Sequence, residues 1–293
     1  MDAKNFAWND EKLDSILSSM AAMKPVGSTG IASLDRVLGG GLHPEVYVLA
    51  AEPGAGKTTL ALQIADYVAR FGSRRVVFVS AEMSAAQIVA KSLSRLSAET
   101  PLDPLTVRDV MRMDAERIKD IEAVADIYRA EVAPHISTID EAATVQSIAS
   151  LYASGFDPCE PKPVLVVDYL QIMPSSTDAV QTDAQHYASN MLALCEVSKR
   201  YRVPVLVISS MNRSGRKDSA LASLAGSSAI EYGASAVMFV SVDGEGEAET
   251  KTNKEAAIRP VTLSVVKNRF GITGDVPLYF KAAEGRFIER VVK

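Results

Sequence analysis

The 293-residue sequence has little of three things: cysteine, excess positive charge and long apolar runs. Its two cysteines, Cys159 and Cys195, are too few and too irregularly placed for a disulfide framework or a zinc site, so we expect ordinary thiols in a reducing compartment. No apolar run approaches the roughly 20 residues of a membrane span, and residues 1–12 lack the basic flank and apolar core of a signal peptide. These absences predict a soluble, cytoplasmic protein with no membrane partner.

Basic residues are outnumbered by acidic ones, with 31 Lys and Arg against 36 Asp and Glu and a net charge of −5. The whole-chain electrostatic footprint of a constitutive nucleic-acid binder is therefore missing. A local basic channel is not excluded, and the two candidate runs are residues 199–202 and 212–217. Runs this short also occur as solvated surface, so both interpretations stay open.

From residue 46 onward, short β-rich runs alternate with helical stretches. Several runs are apolar throughout, as strands buried on both faces of a parallel sheet require. The strand candidates are residues 46–50, 75–80, 135–139, 163–170, 203–209 and 235–242. The helix candidates are residues 58–71, 84–97, 114–132, 144–154 and 185–201. This alternation predicts an α/β domain in which helices cover a mostly parallel sheet.

The C-terminal part of the chain has a different pattern. Residues 259–289 are typical of antiparallel hairpin strands added at one edge of the sheet. Before them, residues 244–257 are polar, charged and glycine-bearing, which predicts a mobile loop.

The stretch AEPGAGKTT, residues 51–59, lies between the strand candidate 46–50 and the helix candidate 58–71. A phosphate-binding loop requires this context, because its bare backbone N–H groups and the helix N-terminus face the phosphates. Ala51 replaces the first glycine of the usual pattern, but it stands where the strand ends and not where the phosphates lie. The context therefore predicts a working phosphate loop.

Individual residues of this loop match the chemistry of a nucleoside triphosphate. Gly54 and Gly56 allow the backbone to approach the phosphates closely. Lys57 supplies charge to the β- and γ-phosphates, and the Thr58 hydroxyl suits Mg²⁺. The predicted nucleotide contacts are Pro53, Gly54, Ala55, Gly56, Lys57, Thr58 and Thr59.

Two carboxylates follow apolar runs at positions that suit hydrolysis. Asp168 ends the run VLVVD, and Glu82 follows the run VVFVS after one alanine. The carboxyl ends of strands in an open α/β sheet are where ligands bind, so both acids should lie over the edge that carries the phosphate loop. A hydrolase needs one carboxylate for the metal shell and another to activate water.

Read together, these segments resemble the RecA-like ATPase core, and more closely the C-terminal motor domain of DnaB-type replicative helicases. The matching text is SAEMSAAQI at 80–88, VVDYLQIM at 166–173, SSMNRS at 209–214 and KNRFGITGDVPLYF at 267–280. The opening segment STGIASLDRVLGGGL at 28–42 is instead similar to the RadA and KaiC branch of the same superfamily. The resemblance implies ATP and Mg²⁺ as cofactors, with Glu82 polarising the attacking water and Asp168 holding Mg²⁺ through its water shell together with Thr58.

The same resemblance implies a cation pair that acts across a subunit boundary. Lys267 and Arg269 are two residues apart on a predicted strand, so they should point to one face. In the family, the matching pair reaches the γ-phosphate bound by the adjacent subunit, in a hexameric ring around single-stranded DNA. Without the resemblance, two surface cations on an edge strand would be the simpler interpretation.

Residues 10–23 have the spacing of an amphipathic helix that precedes this core. Its apolar residues are Leu13, Ile16, Leu17 and Met20. The segment Lys-Pro-Val-Gly at 24–27 ends the helix. We predict a helix and linker at 1–27 and a RecA-like ATPase domain at 28–293. The helix docks on a neighbouring subunit or packs on its own domain, and the sequence leaves both open.

The chain departs from the helicases where nucleotide chemistry would be passed to DNA. Ser210 replaces a glutamine that follows the last core strand in the family, and a serine hydroxyl is too short to span the same gap. The family's DNA-binding loop also differs at residues 223–235, where Ala225 replaces an arginine and Gly226 a glutamate. The candidate DNA contacts are Arg213, Arg216, Lys217, Ala225, Gly226 and Ser228.

The leading hypothesis from the sequence is an ATP-driven DNA helicase or translocase of the DnaB type that works with a separate loader or primase. Its rival is a RadA- or KaiC-like ATPase that assembles or remodels partners without unwinding DNA. A pseudo-enzyme that merely binds nucleotide is disfavoured, because Lys57, Thr58, Glu82, Asp168 and Arg269 are all present.

Overall fold

The computed structural model describes residues 9–21, 24–72, 74–141, 143–174, 182–210 and 232–290. Within these ranges the strands are β1 (Val46–Ala51), β2 (Val76–Ser80), β3 (Ile136–Ile139), β4 (Val164–Asp168), β5 (Val205–Ser210), β6 (Ala236–Val242), β7 (Ile258–Asn268), β8 (Gly274–Lys281) and β9 (Arg286–Glu289). The α-helices are α1 (Asn9–Ala21), α2 (Ala32–Val37), α3 (Lys57–Phe71), α4 (Ala85–Ser97), α5 (Val107–Arg112), α6 (Ile118–Glu131), α7 (Val145–Ser154), α8 (Asp183–Tyr201) and α9 (Glu247–Glu255).

The strands form one sheet in the order β3-β2-β4-β5-β1-β6-β7-β8-β9. The pairs β1–β5, β1–β6, β2–β3, β2–β4 and β4–β5 are parallel, whereas β6–β7, β7–β8 and β8–β9 are antiparallel. The predicted α/β class, with a mostly parallel sheet and C-terminal antiparallel strands, is confirmed. Its topology places the carboxyl ends of β1, β2, β4 and β5 at one edge of the sheet.

The sheet is covered on both faces, which explains why its central strands are apolar throughout. Every residue of β1, β2 and β4 is buried. One face packs on α2 and α3 through residues such as Leu34 and Leu62, and the other packs on α7 and α8 through Ile148 and Leu194. A third, smaller cluster joins α4, α5 and α6 beside the sheet.

Residues 244–257 were predicted to be a mobile loop, and this prediction was wrong, because the segment contains α9. The helix has no apolar stripe of its own and is held by polar contacts. Lys254 forms an ion pair of 2.6 Å with Glu52, and Asn253 Nδ2 donates to the carbonyl oxygen of Asp243 at 2.7 Å. Such contacts join distant parts of the chain, so periodicity along the segment carries no sign of them.

Large apolar side chains of helix α1 are exposed. Leu13, Leu17 and Met20 are 50%, 53% and 61% exposed, so packing on the same domain does not cover the apolar stripe. In the part of the chain that the structure describes, no helix combines the length and apolarity needed to cross a membrane.

Candidate nucleotide-binding site

The predicted phosphate loop connects β1 to α3 at the carboxyl edge of the sheet. Its fold depends on two left-handed residues, Gly54 at φ +81° and Gly56 at φ +94°. A Cβ atom on Gly54 would meet nothing within 4 Å, whereas one on Gly56 would lie 2.7 Å from the Phe287 ring and 3.0 Å from the Phe280 ring. These two rings stack with centroids 4.4 Å apart and support the loop from below.

Ala51 is the last residue of β1 and is fully buried. It pairs with Ser210 on one side and with Val240 on the other, and its methyl group belongs to the apolar core. The departure from glycine therefore lies in the sheet, where an alanine packs well, and outside the turn that would face phosphate.

The N-terminus of α3 presents the residues expected to bind the phosphates. Lys57 and Thr58 are partly exposed, and the backbone N–H groups of the first helical turn have no partner within the helix. The Lys57 ammonium lies 5.4 Å from the centroid of the Tyr169 ring. Thr59 follows them and is 3% exposed. A helix N-terminus with an adjacent lysine is a binding site for anions.

Asp168 ends β4 beside this turn and is 1% exposed. Burial raises the pKa of its carboxyl group to about 6, and the charge of Glu82 contributes in the same direction. The nearby Thr58 hydroxyl and the charges of Lys57 and Lys91 act to lower this pKa. Although the Thr58 hydroxyl is close, neither carboxylate oxygen accepts a hydrogen bond of normal geometry from any residue that the structure describes. A buried carboxylate with free oxygen atoms, next to a threonine hydroxyl, fits the oxygen-based water shell of Mg²⁺.

Glu82 follows β2 and is exposed. The register of β2 and β4 sets Ser80 opposite Asp168, so Glu82 emerges over the same edge as Asp168. Its charge raises the pKa of Asp168 and of Tyr169, so Glu82 lies near both side chains. An exposed carboxylate here is free to orient a water molecule.

Lys267 and Arg269 lie further from the carboxyl ends of the parallel strands than the phosphate loop does. Lys267 pairs with Val237 of β6, which pairs with Val48 of β1, three residues before the end of that strand at Ala51. This offset corresponds to about 10 Å along the strands, in the direction away from the phosphate loop. The two cations therefore do not reach the phosphate loop of their own chain.

Both cations contact the segment that leads into β6. Lys267 Nζ donates to the carbonyl oxygen of Ala234 at 2.8 Å, and an Arg269 guanidinium nitrogen donates to that of Tyr232 at 2.6 Å. Lys267 lies on β7 and Arg269 lies one residue beyond its end at Asn268, so a shared face for the two side chains stays a prediction. Arg269 is exposed, and its neighbours Phe270 and Ile272 are 55% and 63% exposed.

Three residues beside the loop were missed by sequence reasoning. Arg259 donates to the carbonyl oxygen of Gly54 at 3.2 Å, Lys254 pairs with Glu52, and Lys91 Nζ donates to Thr59 Oγ1 at 3.3 Å. Each comes from an element far from the loop in sequence, so spacing gave no signal. For Lys91, its position among apolar residues of the predicted helix 84–97 was a signal that this lysine could be partly buried.

The end of β5 is joined to the Asp168 region by Gln171. Its amide nitrogen donates to Ser209 Oγ at 2.8 Å, and its carbonyl oxygen accepts from the backbone N–H of Ser210 at 3.2 Å. Ser210, which replaces the family's glutamine, is thus contacted by a glutamine from another element. The candidate DNA contacts Arg213, Arg216, Lys217, Ala225, Gly226 and Ser228 lie outside the described residues.

The sheet order and its flanking helices define a RecA-like α/β domain. Residues 27–289 match the family described as "DnaB-like helicase C terminal domain", and the chain belongs to this family. The predicted resemblance is confirmed.

Three known proteins illustrate the relationship. The chain is 26% identical over 287 residues to the replicative DNA helicase DnaB of Haemophilus influenzae, and the aligned region covers 94% of this chain and 58% of that helicase. It is 30% identical over 250 residues to the DNA repair protein RadA of Mycobacterium tuberculosis, covering 85% and 40%. The solved ATPase domain of G40P superposes with a TM-score of 0.79 at 20% identity, covering 98% of this chain and 100% of that domain. The chain thus spans about half the length of the curated relatives it matches.

Proposed function

We propose that this protein is an ATP-hydrolysing motor that forms a ring and moves along single-stranded DNA, with each active site shared between two copies. The observation that carries the proposal is the separation of the charged groups. Lys57, Thr58 and Asp168 lie at the carboxyl ends of the parallel strands, whereas Lys267 is level with Val48, three residues before the end of β1, and the exposed Arg269 lies further still from the phosphate loop. Arg269 can serve a phosphate site only on a neighbouring copy.

In the proposed reaction, Lys57 and the N–H groups of the loop bind the phosphates of ATP. Asp168 and Thr58 hold Mg²⁺, which when bound offsets charge on the phosphate oxygens. Glu82 accepts a hydrogen bond from the attacking water and orients it toward the γ-phosphate. Arg269 from the adjacent copy stabilises the charge that develops in the transition state, an effect worth roughly 10³ to 10⁵ in rate.

Mixing two inactive variants tests the shared site. Lys57→Ala disables the site of its own chain, and Arg269→Ala disables the site of its neighbour. A mixture of the two should recover part of the ATPase rate, because some interfaces combine an intact loop with an intact arginine. A mixture of Lys57→Ala with Asp168→Ala is the control, since both act within one chain and no intact site can form. An absence of ATPase activity in both mixtures would contradict the shared site.

The role of DNA is tested by stimulation of ATP hydrolysis. Gln171 contacts both residues that end β5, directly before residues 211–231, and so supports a link between the nucleotide site and that segment. A helicase should hydrolyse ATP faster with single-stranded DNA, and the gain should fade with salt. Glu82→Gln, which should bind ATP without turnover, is the control. An ATPase rate that does not change with DNA concentration would favour the RadA-like alternative, in which ATP drives partner remodelling. The similarity to RadA also supports that alternative.

The exposed stripe of α1 supports docking on a neighbouring copy. Leu13 and Leu17 are 50% and 53% exposed on a helix that precedes the nucleotide-binding domain. Replacing both by aspartate should lower the oligomer mass measured by light scattering with an ATP analogue. Ser15→Asp with Ser18→Asp adds the same two charges at exposed positions outside the stripe and serves as the control. Unchanged mass in the Leu13/Leu17 variant would contradict docking. The proposed setting is the cytoplasm, with a loader or primase as separate partners.

A further inference from the structure

Lys91 lies on the side of the nucleotide site that faces α4. Helix α4 packs against α3, and the Lys91 ammonium reaches across to Thr59 Oγ1 at 3.3 Å. Thr59 belongs to the first turn of α3, directly after the Lys57 and Thr58 that bind the phosphates. The side chain of Lys91 is half-buried, so its position is held by the packing of two helices.

The surroundings of Lys91 leave its charge poorly compensated. Burial lowers its pKa, Arg95 one turn further along α4 lowers it again, and Asp168 acts in the opposite direction. Among the residues that the structure describes, the ammonium forms no ion pair with a carboxylate, and Thr59 is its one hydrogen-bond acceptor. A lysine ammonium has three N–H donors. Two donors are therefore available in a site where an anion would stabilise the charge.

The position of Thr59 decides which anion fits. The backbone N–H groups at this end of the loop cradle the α- and β-phosphates, while Lys57 reaches the β- and γ-phosphates. An oxygen atom bound at the N–H of Thr59 lies next to the hydroxyl that Lys91 already contacts. Lys91 therefore borders the part of the phosphate chain that ADP and ATP share.

We propose that Lys91 is a second phosphate-binding lysine, which donates to an α- or β-phosphate oxygen while Lys57 serves the γ-phosphate side. The inference deepens the proposed ATPase function and rests on it. It assigns α4 a direct part in holding nucleotide, in addition to the loop and α3. Because the contact is to phosphates common to both nucleotides, Lys91 should hold ADP as firmly as ATP.

The test measures nucleotide binding, without turnover, by fluorescence of methylanthraniloyl-labelled ADP and ATP in EDTA and in Mg²⁺. Lys91→Met should weaken both nucleotides by roughly tenfold in both conditions, as expected for a lost charge-assisted hydrogen bond. Lys91→Arg, which keeps the charge, should stay within about threefold of the unaltered protein. Lys119→Met, at an exposed lysine on α6, is the matched control and should bind normally.

Several results would overturn the proposal. Normal binding by Lys91→Met in EDTA would show that Lys91 only balances the charge of Asp168. A loss confined to ATP would move the contact to the γ-phosphate. If Lys91→Met unfolds, a tenfold loss in Lys91→Arg as well would point to packing instead of charge. An unaltered protein that binds neither nucleotide would refute the ATPase function itself, a failure distinct from normal binding by the variant alone.

Discussion

Adding one methyl group to Gly56 should destabilise the protein far more than adding one to Gly54. Both residues have positive φ, so alanine at either position should cost roughly 1 to 2 kcal/mol of backbone strain. Only at Gly56 does the new Cβ also meet the rings of Phe287 and Phe280, at 2.7 and 3.0 Å. Overpacking of this kind adds roughly 1 to 3 kcal/mol. We therefore expect a loss of about 2 to 5 kcal/mol for Gly56→Ala and about 1 to 2 kcal/mol for Gly54→Ala.

Urea unfolding of the nucleotide-free protein, followed by circular dichroism, measures this difference. Phe287→Leu in the Gly56→Ala background supplies a rescue, because a smaller side chain gives the new methyl group room. The double variant should be more stable than the sum of the two single changes predicts. Equal losses at Gly54 and Gly56, together with no rescue, would refute the idea that the stacked rings support the loop.

Three further predictions concern charged groups. Because the pKa of Asp168 is about 6 in the folded protein and 3.8 in the unfolded chain, its ionisation destabilises the fold as pH rises from about 4 to 6. Asp168→Asn should therefore raise the free energy of unfolding at pH 7.5 in EDTA by up to about 3 kcal/mol. In urea titrations this gain should vanish near pH 4. Arg95 is 4% exposed and pairs with Asp66. Arg95→Met should lower the free energy of unfolding by roughly 3 to 5 kcal/mol, because it leaves the Asp66 carboxylate buried without its partner. Adding Asp66→Leu to this variant should recover much of the loss in the same assay. Lys254→Met breaks only a partly exposed pair with Glu52 and should change the unfolding free energy by less than about 1 kcal/mol; a larger, salt-insensitive loss would contradict this.

The sequence was sufficient to predict the fold class and most element positions, because the signals are local. Helix α7, predicted at 144–154, begins at Val145 with Thr144 as its cap, and α8 begins two residues before its predicted start at Gln185. Helix α6 begins at Ile118 and not at 114, since residues 114–117 form a turn in which the Arg117 N–H donates to the Asp114 carbonyl. Short helices such as α2 and α5 were missed, because six residues are too few to show a period.

The candidate nucleotide site could also be predicted in large part, since a phosphate loop is a contiguous motif and the carboxyl ends of parallel strands lie together by topology. What the sequence by itself determined is therefore the set of candidate groups: Lys57, Thr58, Glu82 and Asp168 follow from local pattern. Only the tertiary structure decided which residues surround them. Lys91 reaches Thr59 through helix packing, and the sheet register separates Lys267 and Arg269 from their own phosphate loop. Contacts between elements distant in sequence depend on how strands and helices pack, and no spacing along the chain encodes that arrangement.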